Sequence, residues 1–261
     1  NSYTSFIRTN EGDKGYIQHF FIDFGACFGS VWQWEGMSRR SGHAYYFDKE
    51  YVFMDLLTLG LIQRPWDRAR LYEEGPIFGY YDVATFRPGK WRAGYQNIAF
   101  NHIQDADAFW GAKIVSRFSD EHIKKLVKIS KFRDKINERY LTRVLIGRRD
   151  KLVRYWFDKL SSFADPVTKG HRACFNDLMV AYGYEERSDS YYEFQQDNKE
   201  SWKAPDSVNQ GQVCKNIEGS VGDYVVLKGR IRRTYQREPA KPIQAHYIIE
   251  KNGIRLVGLE R

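Results

Sequence analysis

The sequence has only three cysteines in 261 residues, Cys27, Cys174 and Cys214. None sit in a C-x-x-C pair, so the cysteines do not outline a zinc site. An odd count leaves at least one thiol unpaired within the chain. Three buried thiols is the favoured reading, and Cys174–Cys214 is a pair that could close in an oxidising compartment. Long apolar runs are also missing. Stretches such as Phe20-Phe21-Ile22 and Val52-Phe53-Met54 are of core length, well short of the roughly 18 consecutive apolar residues of a membrane span. The six histidines, at 19, 43, 102, 122, 171 and 246, show no H-x-x-x-H or H-E-x-x-H spacing, which speaks against a histidine metal site. There is no G-x-S-x-G elbow, and Gly25-x-x-x-Gly29 lacks the Lys-Ser/Thr of a Walker loop. No repeat of solenoid period occurs. The sequence opens at Asn1 without Met or a charged-then-apolar leader, which reads as a processed or truncated start.

Aromatics, by contrast, are plentiful at 16%, and hydrophobic residues make up 42%. That excludes a disordered chain. The length suits one large domain, or a main domain with an appendage, and a core that needs no disulfides. Net charge is +8, which raises an acidic partner such as nucleic acid or anionic lipid. The basic residues are dispersed, however, at Arg39-Arg40, Lys124-Lys125, Arg148-Arg149 and Arg230 to Arg233, and they alternate with acids. A solvated basic surface is the expectation, with no nucleic-acid partner. Arg230, Arg232 and Arg233 could serve as a docking surface.

Patterning predicts an α+β chain. Residues 3–8 and 16–22 read as strands of a hairpin joined by a glycine-bearing turn. Asp48 is a helix N-cap for 49–59, with Gly60 as the stop. Residues 61–105, with Pro65, Pro76, Pro88 and many aromatics, read as an ordered loop region pinned by its rings. Helices follow at 106–117 and, capped by Ser119, at 120–130. The longest runs over 133–160, with Ile136, Tyr140, Leu141, Val144, Leu145, Leu152, Trp156 and Leu160 as its stripe and Gly147 as a possible bend. A short helix is expected at 173–182, a polar irregular stretch at 184–220, and strands at 223–233, 243–250 and 254–259. Lys251-Asn252-Gly253 is a hairpin turn between the last two. The division expected is 1–205, a hairpin plus helices, and 206–261, a small antiparallel β-unit.

The chemistry concentrates at the hairpin's open end. Asn1 precedes the first strand, and Asp23-Phe24-Gly25 follows the second. An antiparallel pair brings such ends within about 5 Å. An amide oxygen beside a carboxylate suits Mg²⁺, which takes one or two protein ligands and completes its shell with phosphate and water oxygens. The same arrangement is the metal half of a protein kinase site. Trp32-Gln33-Trp34 and Tyr45-Tyr46-Phe47 could form a stacking platform, although core packing is the commoner fate of such residues.

The stretch His19-Phe20-Phe21-Ile22-Asp23-Phe24-Gly25-Ala26-Cys27-Phe28-Gly29-Ser30 resembles a family of largely uncharacterised bacterial proteins with a kinase-like core. The likeness continues through Gly42-His43, Tyr45, Phe47-Asp48, Ala108-Phe109-Trp110, Tyr140-Leu141-Thr142, Arg148-Arg149-Asp150 and Val257-Gly258-Leu259-Glu260-Arg261. It implies a hairpin leading into a mainly helical body like a kinase C-terminal lobe, with Asn1 and Asp23 as Mg and ATP ligands. It also implies an extracytoplasmic location, at the periplasm or cell surface. The partners implied are other protein subunits, or an N-terminal part carrying the catalytic base and the nucleotide lysine. Without that part the stretch would not be active. Position 26 is Ala where the family has Ser.

Overall fold

The computed structural model describes residues 2–9, 15–22, 27–31, 34–96, 98–197 and 201–261. The chain is α+β, with a two-stranded hairpin, two four-stranded antiparallel sheets and helices. It forms two compact units, Asn1–Asn101 with Ile123–Arg148, and His102–His122 with Arg149–Arg261.

The first unit opens with β1 (Ser2–Thr9) and β2 (Gly15–Ile22), antiparallel in an unbroken register from Thr9 opposite Gly15 to Ser2 opposite Ile22. Helix α1 (Glu35–Arg40) follows, then α2 (Lys49–Leu57), whose Asp48 N-cap accepts the Glu50 N–H at 3.1 Å. That bond satisfies one of the unpaired donors of the first turn. Beyond α2 the backbone is irregular, with single 3-10 turns at Pro65–Arg68 and Pro88–Lys90, up to α3 (Ile98–Asn101). Rings hold this stretch in place. Phe78 stacks on Tyr140 at 5.7 Å and meets Phe132 edge-on, and Trp66 takes Tyr51 edge-on. The core joins Phe78 to Ile123, Val127, Tyr140, Leu141 and Val144.

Helices α4 (Asp105–Ser116), α5 (Asp120–Ile129) and α6 (Lys135–Lys159) match the expected segments, and the unit division falls within α5 and α6. Ser119 caps α5 by accepting the His122 N–H at 3.2 Å. Along α6, Tyr140, Leu141 and Val144 are buried as the stripe requires, but Ile136 is exposed. Gly147 has a packing reason: a Cβ there would lie 2.7 Å from a Val83 methyl.

The second unit corrects two expectations. The segment expected to be helical at 173–182 is strand β4 (Arg172–Asp177) and then one turn, α7 (Leu178–Ala181). The stretch expected to be irregular holds β5 (Ser190–Gln196), β6 (Ser207–Asn209) and β7 (Gln212–Asn216). Before them comes β3 (Phe163–Lys169), and after them β8 (Tyr224–Arg233), β9 (Ile243–Glu250) and β10 (Gly253–Glu260). One sheet runs β10-β9-β8-β5 and the other β3-β4-β7-β6, so strands from either side of residue 205 share both. A core of Phe163, Phe175, Phe194, Val213, Leu227, Ile231, Ile243 and Tyr247 belongs to both sheets. A second cluster joins Phe109 of α4, Val153 and Phe157 of α6, and Leu178 and Met179 of α7. The pairing of β3 with β4 is broken between Ala164 and Val167, where Pro166 sits and Asp165 has φ +49°. Proline tolerates such a site because it is an edge strand and an irregularity. β10 carries its own break between Leu256 and Gly258, and the outer side of β5 is bridged by backbone bonds between Phe194 and Lys203.

Candidate functional site

The hairpin carries the two residues expected to hold a metal. Its register pairs Ser2 with Ile22, the chain neighbours of Asn1 and Asp23. Asn1 and the Asp23-Phe24-Gly25 motif themselves lie outside the described residues, as do Ala26 and Trp32-Gln33. Among the described residues no three His, Cys, Asp or Glu side chains gather to hold a metal ion.

At Phe28 and Gly29 the chain is clamped by backbone. Gly79 donates to the Phe28 carbonyl and Tyr80 to the Gly29 carbonyl, both at 3.0 Å. Gly29 has φ +79°, and a Cβ on it would stand 2.6 Å from the Tyr80 carbonyl carbon. Gly79 faces the Gly29 carbonyl in return. Only glycine lets two backbones come this close at such a dihedral. Phe28 then meets Phe78 and Tyr81 edge-on, at 5.7 and 5.4 Å. Gly29→Ala is therefore expected to cost about 2–4 kcal/mol, from positive-φ strain plus overpacking. Urea unfolding followed through the aromatic near-UV signal measures it. A loss under about 0.5 kcal/mol would mean that the clamp is not formed.

Near this clamp, Arg148 lies over Tyr81 at 3.7 Å and over Phe86 at 4.7 Å, and its Nε donates to the Asp82 carbonyl at 2.8 Å. Burial lowers its pKa. Asp82 is buried and accepts the Thr85 N–H and hydroxyl at 2.7 and 2.8 Å. His43 is pushed down chiefly by burial, against the pull of Asp82. The dispersed basic pair expected to be solvated is thus built in. Arg149, its neighbour, bonds Asp120 and Asp150 at 2.7 Å each.

The second unit holds a fully buried polar cluster around Arg233 and Asp177. Arg233, 1% exposed, makes a bidentate pair with Asp177, 0% exposed, through two bonds of 2.8 Å. Ser162 accepts from Arg233 at 2.8 Å and donates to Asp177 at 2.7 Å. Tyr192 donates to Asp177 at 3.0 Å, the Met179 N–H does so at 3.1 Å, and Ser190 accepts from Arg233. Burial works to lower the Arg233 pKa, but the Asp177 bonds outweigh it and raise it. The expected docking surface is corrected accordingly. Arg233 is interior, Arg230 bonds Glu193 at 2.8 Å over the Trp202 ring, and Arg232 covers Tyr191. No short-range signal marks the pairing, since Asp177 and Arg233 are 56 residues apart.

The thiol expectation is corrected too. Cys174 and Cys214, directly opposite on β4 and β7, form a disulfide, and Cys27 is outside any disulfide. Among the described residues no helix is long and apolar enough to cross a membrane. No family model, curated protein or solved structure matches the chain.

Proposed function

We propose that this chain is the C-terminal portion of a kinase-like phosphotransferase, in which Asn1 and Asp23 hold Mg²⁺ and the nucleotide phosphates. The observation that carries the reading is the hairpin register, which pairs the chain neighbours of these two residues. An amide and a carboxylate oxygen suit Mg²⁺, a hard ion that keeps few protein ligands. Such an ion would neutralise charge on the phosphate being transferred. The chain's own part is to hold the ligands. The clamp of Phe28 and Gly29 onto residues 79–80 ties down the segment that leaves the motif. The reading also requires a catalytic base and a nucleotide-binding lysine, which in kinases precede the metal-binding Asn in the chain.

A second reading is a degenerate kinase-like subunit of an extracytoplasmic assembly. The Cys174–Cys214 disulfide favours that compartment, because disulfides persist where the environment is oxidising.

Thermal melting of the full-length gene product with Mg²⁺-ATP separates the two. For the phosphotransferase, nucleotide at about 100 times its Kd adds roughly 2.7 kcal/mol of stability, and Asp23→Asn removes the shift. The gene must also encode an Asp a few residues before Asn1 and a Lys further upstream. A melting curve indifferent to Mg²⁺-ATP, with neither residue encoded, would leave the binding-subunit reading.

A further inference from the structure

Helix α2 of the first unit turns its apolar side outwards. At about 3.6 residues per turn, Val52, Phe53, Leu56 and Leu57 share an arc of roughly 140°. Tyr51 and Thr58 fall on the opposite side, and they are the half-buried residues that seat the helix. Tyr51 meets the buried Trp66 ring edge-on at 5.3 Å, and Arg64 lies over Tyr51 at 4.6 Å. Val52, Phe53, Leu56 and Leu57 are 59–72% exposed, and Leu59 and Leu61, directly beyond the helix, are 86% and 83% exposed. None of the nine residues of α2 is buried. A helix this short is marginal by itself in water, where packing of an apolar face supplies most of the stability. An apolar patch of this extent marks a contact with another molecule.

Charge and area narrow the occupant. Asp48, Glu50 and Asp55 lie on or beside the helix with Lys49 and Arg64, and Arg64 bonds Asp55 at 2.8 Å. That balance lacks the basic rim that draws an anionic bilayer. It also lacks the excess of one sign that would steer a strongly charged partner. It suits a copy of itself. Lys49 opens the first turn of α2, and the last turn has no basic residue. In an antiparallel pair across a twofold axis, Lys49 of each copy comes to the C-terminal carbonyls of the other, where the helix dipole favours a cation. The six apolar side chains present on the order of 600–700 Å². Each partner in a stable interface contributes about 800 Å², so two such faces with their rims suffice.

We propose that the outward face of α2, continued by Leu59 and Leu61, is a self-association surface on which a second copy of the chain lays its own α2 antiparallel. Phe53 and Leu56, in the middle of the stripe, meet their counterparts across the axis. Leu59 and Leu61 close the ends. The surface stands independently of the phosphotransfer reading.

Sedimentation equilibrium of the whole chain tests this. A monomer–dimer equilibrium is expected, with a Kd on the order of micromolar for an interface at the lower end of the standard size. Leu56→Glu sets a carboxylate at the centre of the pair and should weaken association about a hundredfold. Its far-UV circular dichroism should match that of the parent, since Leu56 is exposed in the single copy. Lys49→Glu keeps a residue that suits a helix N-terminus and should weaken association about fivefold. Flotation with vesicles of phosphatidylcholine and phosphatidylglycerol runs beside these measurements. A chain that stays monomeric at about 100 µM, whether or not it floats with the vesicles, would overturn the pairing. A dimer that Leu56→Glu leaves intact would overturn it as well, and one indifferent to Lys49→Glu would overturn the antiparallel arrangement.

Discussion

Arg233→Met is expected to destabilise the second unit by about 3–5 kcal/mol, because it strands a buried carboxylate. Asp177 is fully enclosed, and removing the guanidinium takes away its only cationic partner among the described residues while leaving it no access to water. Ser162, Tyr192 and the Met179 N–H would still bond Asp177, so the loss should be large without abolishing folding. In melting temperature it corresponds to a drop of roughly 10–15 °C. The double variant with Asp177→Asn should cost less than the sum of the singles, by about 1–3 kcal/mol, since the second change removes the charge that the first left unpaired. Additive losses in that cycle, or a single-variant loss below about 1 kcal/mol, would show that the pair is solvated.

Reduction of the Cys174–Cys214 disulfide should have an effect of similar size. The bond closes a separation of 40 residues, and the chain-entropy relation assigns about 4 kcal/mol to a loop of that length. Much of the loop is the path from β4 through α7 and β5 to β6 and β7, so an unfolded chain gains that freedom once the bond opens. Cys174→Ala with Cys214→Ala, measured by urea unfolding beside the reduced parent, should reproduce most of the loss. A double variant as stable as the oxidised protein would mean that the bond contributes nothing to stability.

What could be anticipated from the chain alone followed the range of each signal. Asp48 and Ser119 act within one helical turn, and the helices they announce stand within a few residues of the expected bounds. The Lys251-Asn252-Gly253 turn is equally local, and β9 and β10 flank it. In the other sheet two pairings are local, β3 with β4 across Gly170-His171 and β6 with β7 across Gln210-Gly211, and only that of β4 with β7 is distant. The strand Arg172–Asp177 follows the turn at Gly170, and its pairing with β3 and β7 outweighs the helical tendency that continues into α7. Alternation in Ser190, Tyr192 and Phe194 was available, with all three buried, but the polar sequence around them obscured it. Of the candidate metal site, the hairpin register was legible, because period-two patterning and a glycine turn specify it; Asn1 and Asp23 lie outside the described residues. Arg148 and Arg233 looked like surface charges because nothing near them in sequence announces the rings and the carboxylate that enclose them.

The edges of the two four-stranded sheets have a consequence for how the second unit meets other molecules. An open strand edge is a template on which a foreign strand can grow. Here β3 is interrupted at Asp165 and Pro166, β6 is three residues long, β10 is broken at Leu256, and β5 has its outer side bonded to Lys203. Each margin offers at most a short run of unsatisfied backbone. Recruitment of a peptide by extension of either sheet is thereby disfavoured, as is runaway stacking of one copy on the next. Recognition by this unit falls to side chains.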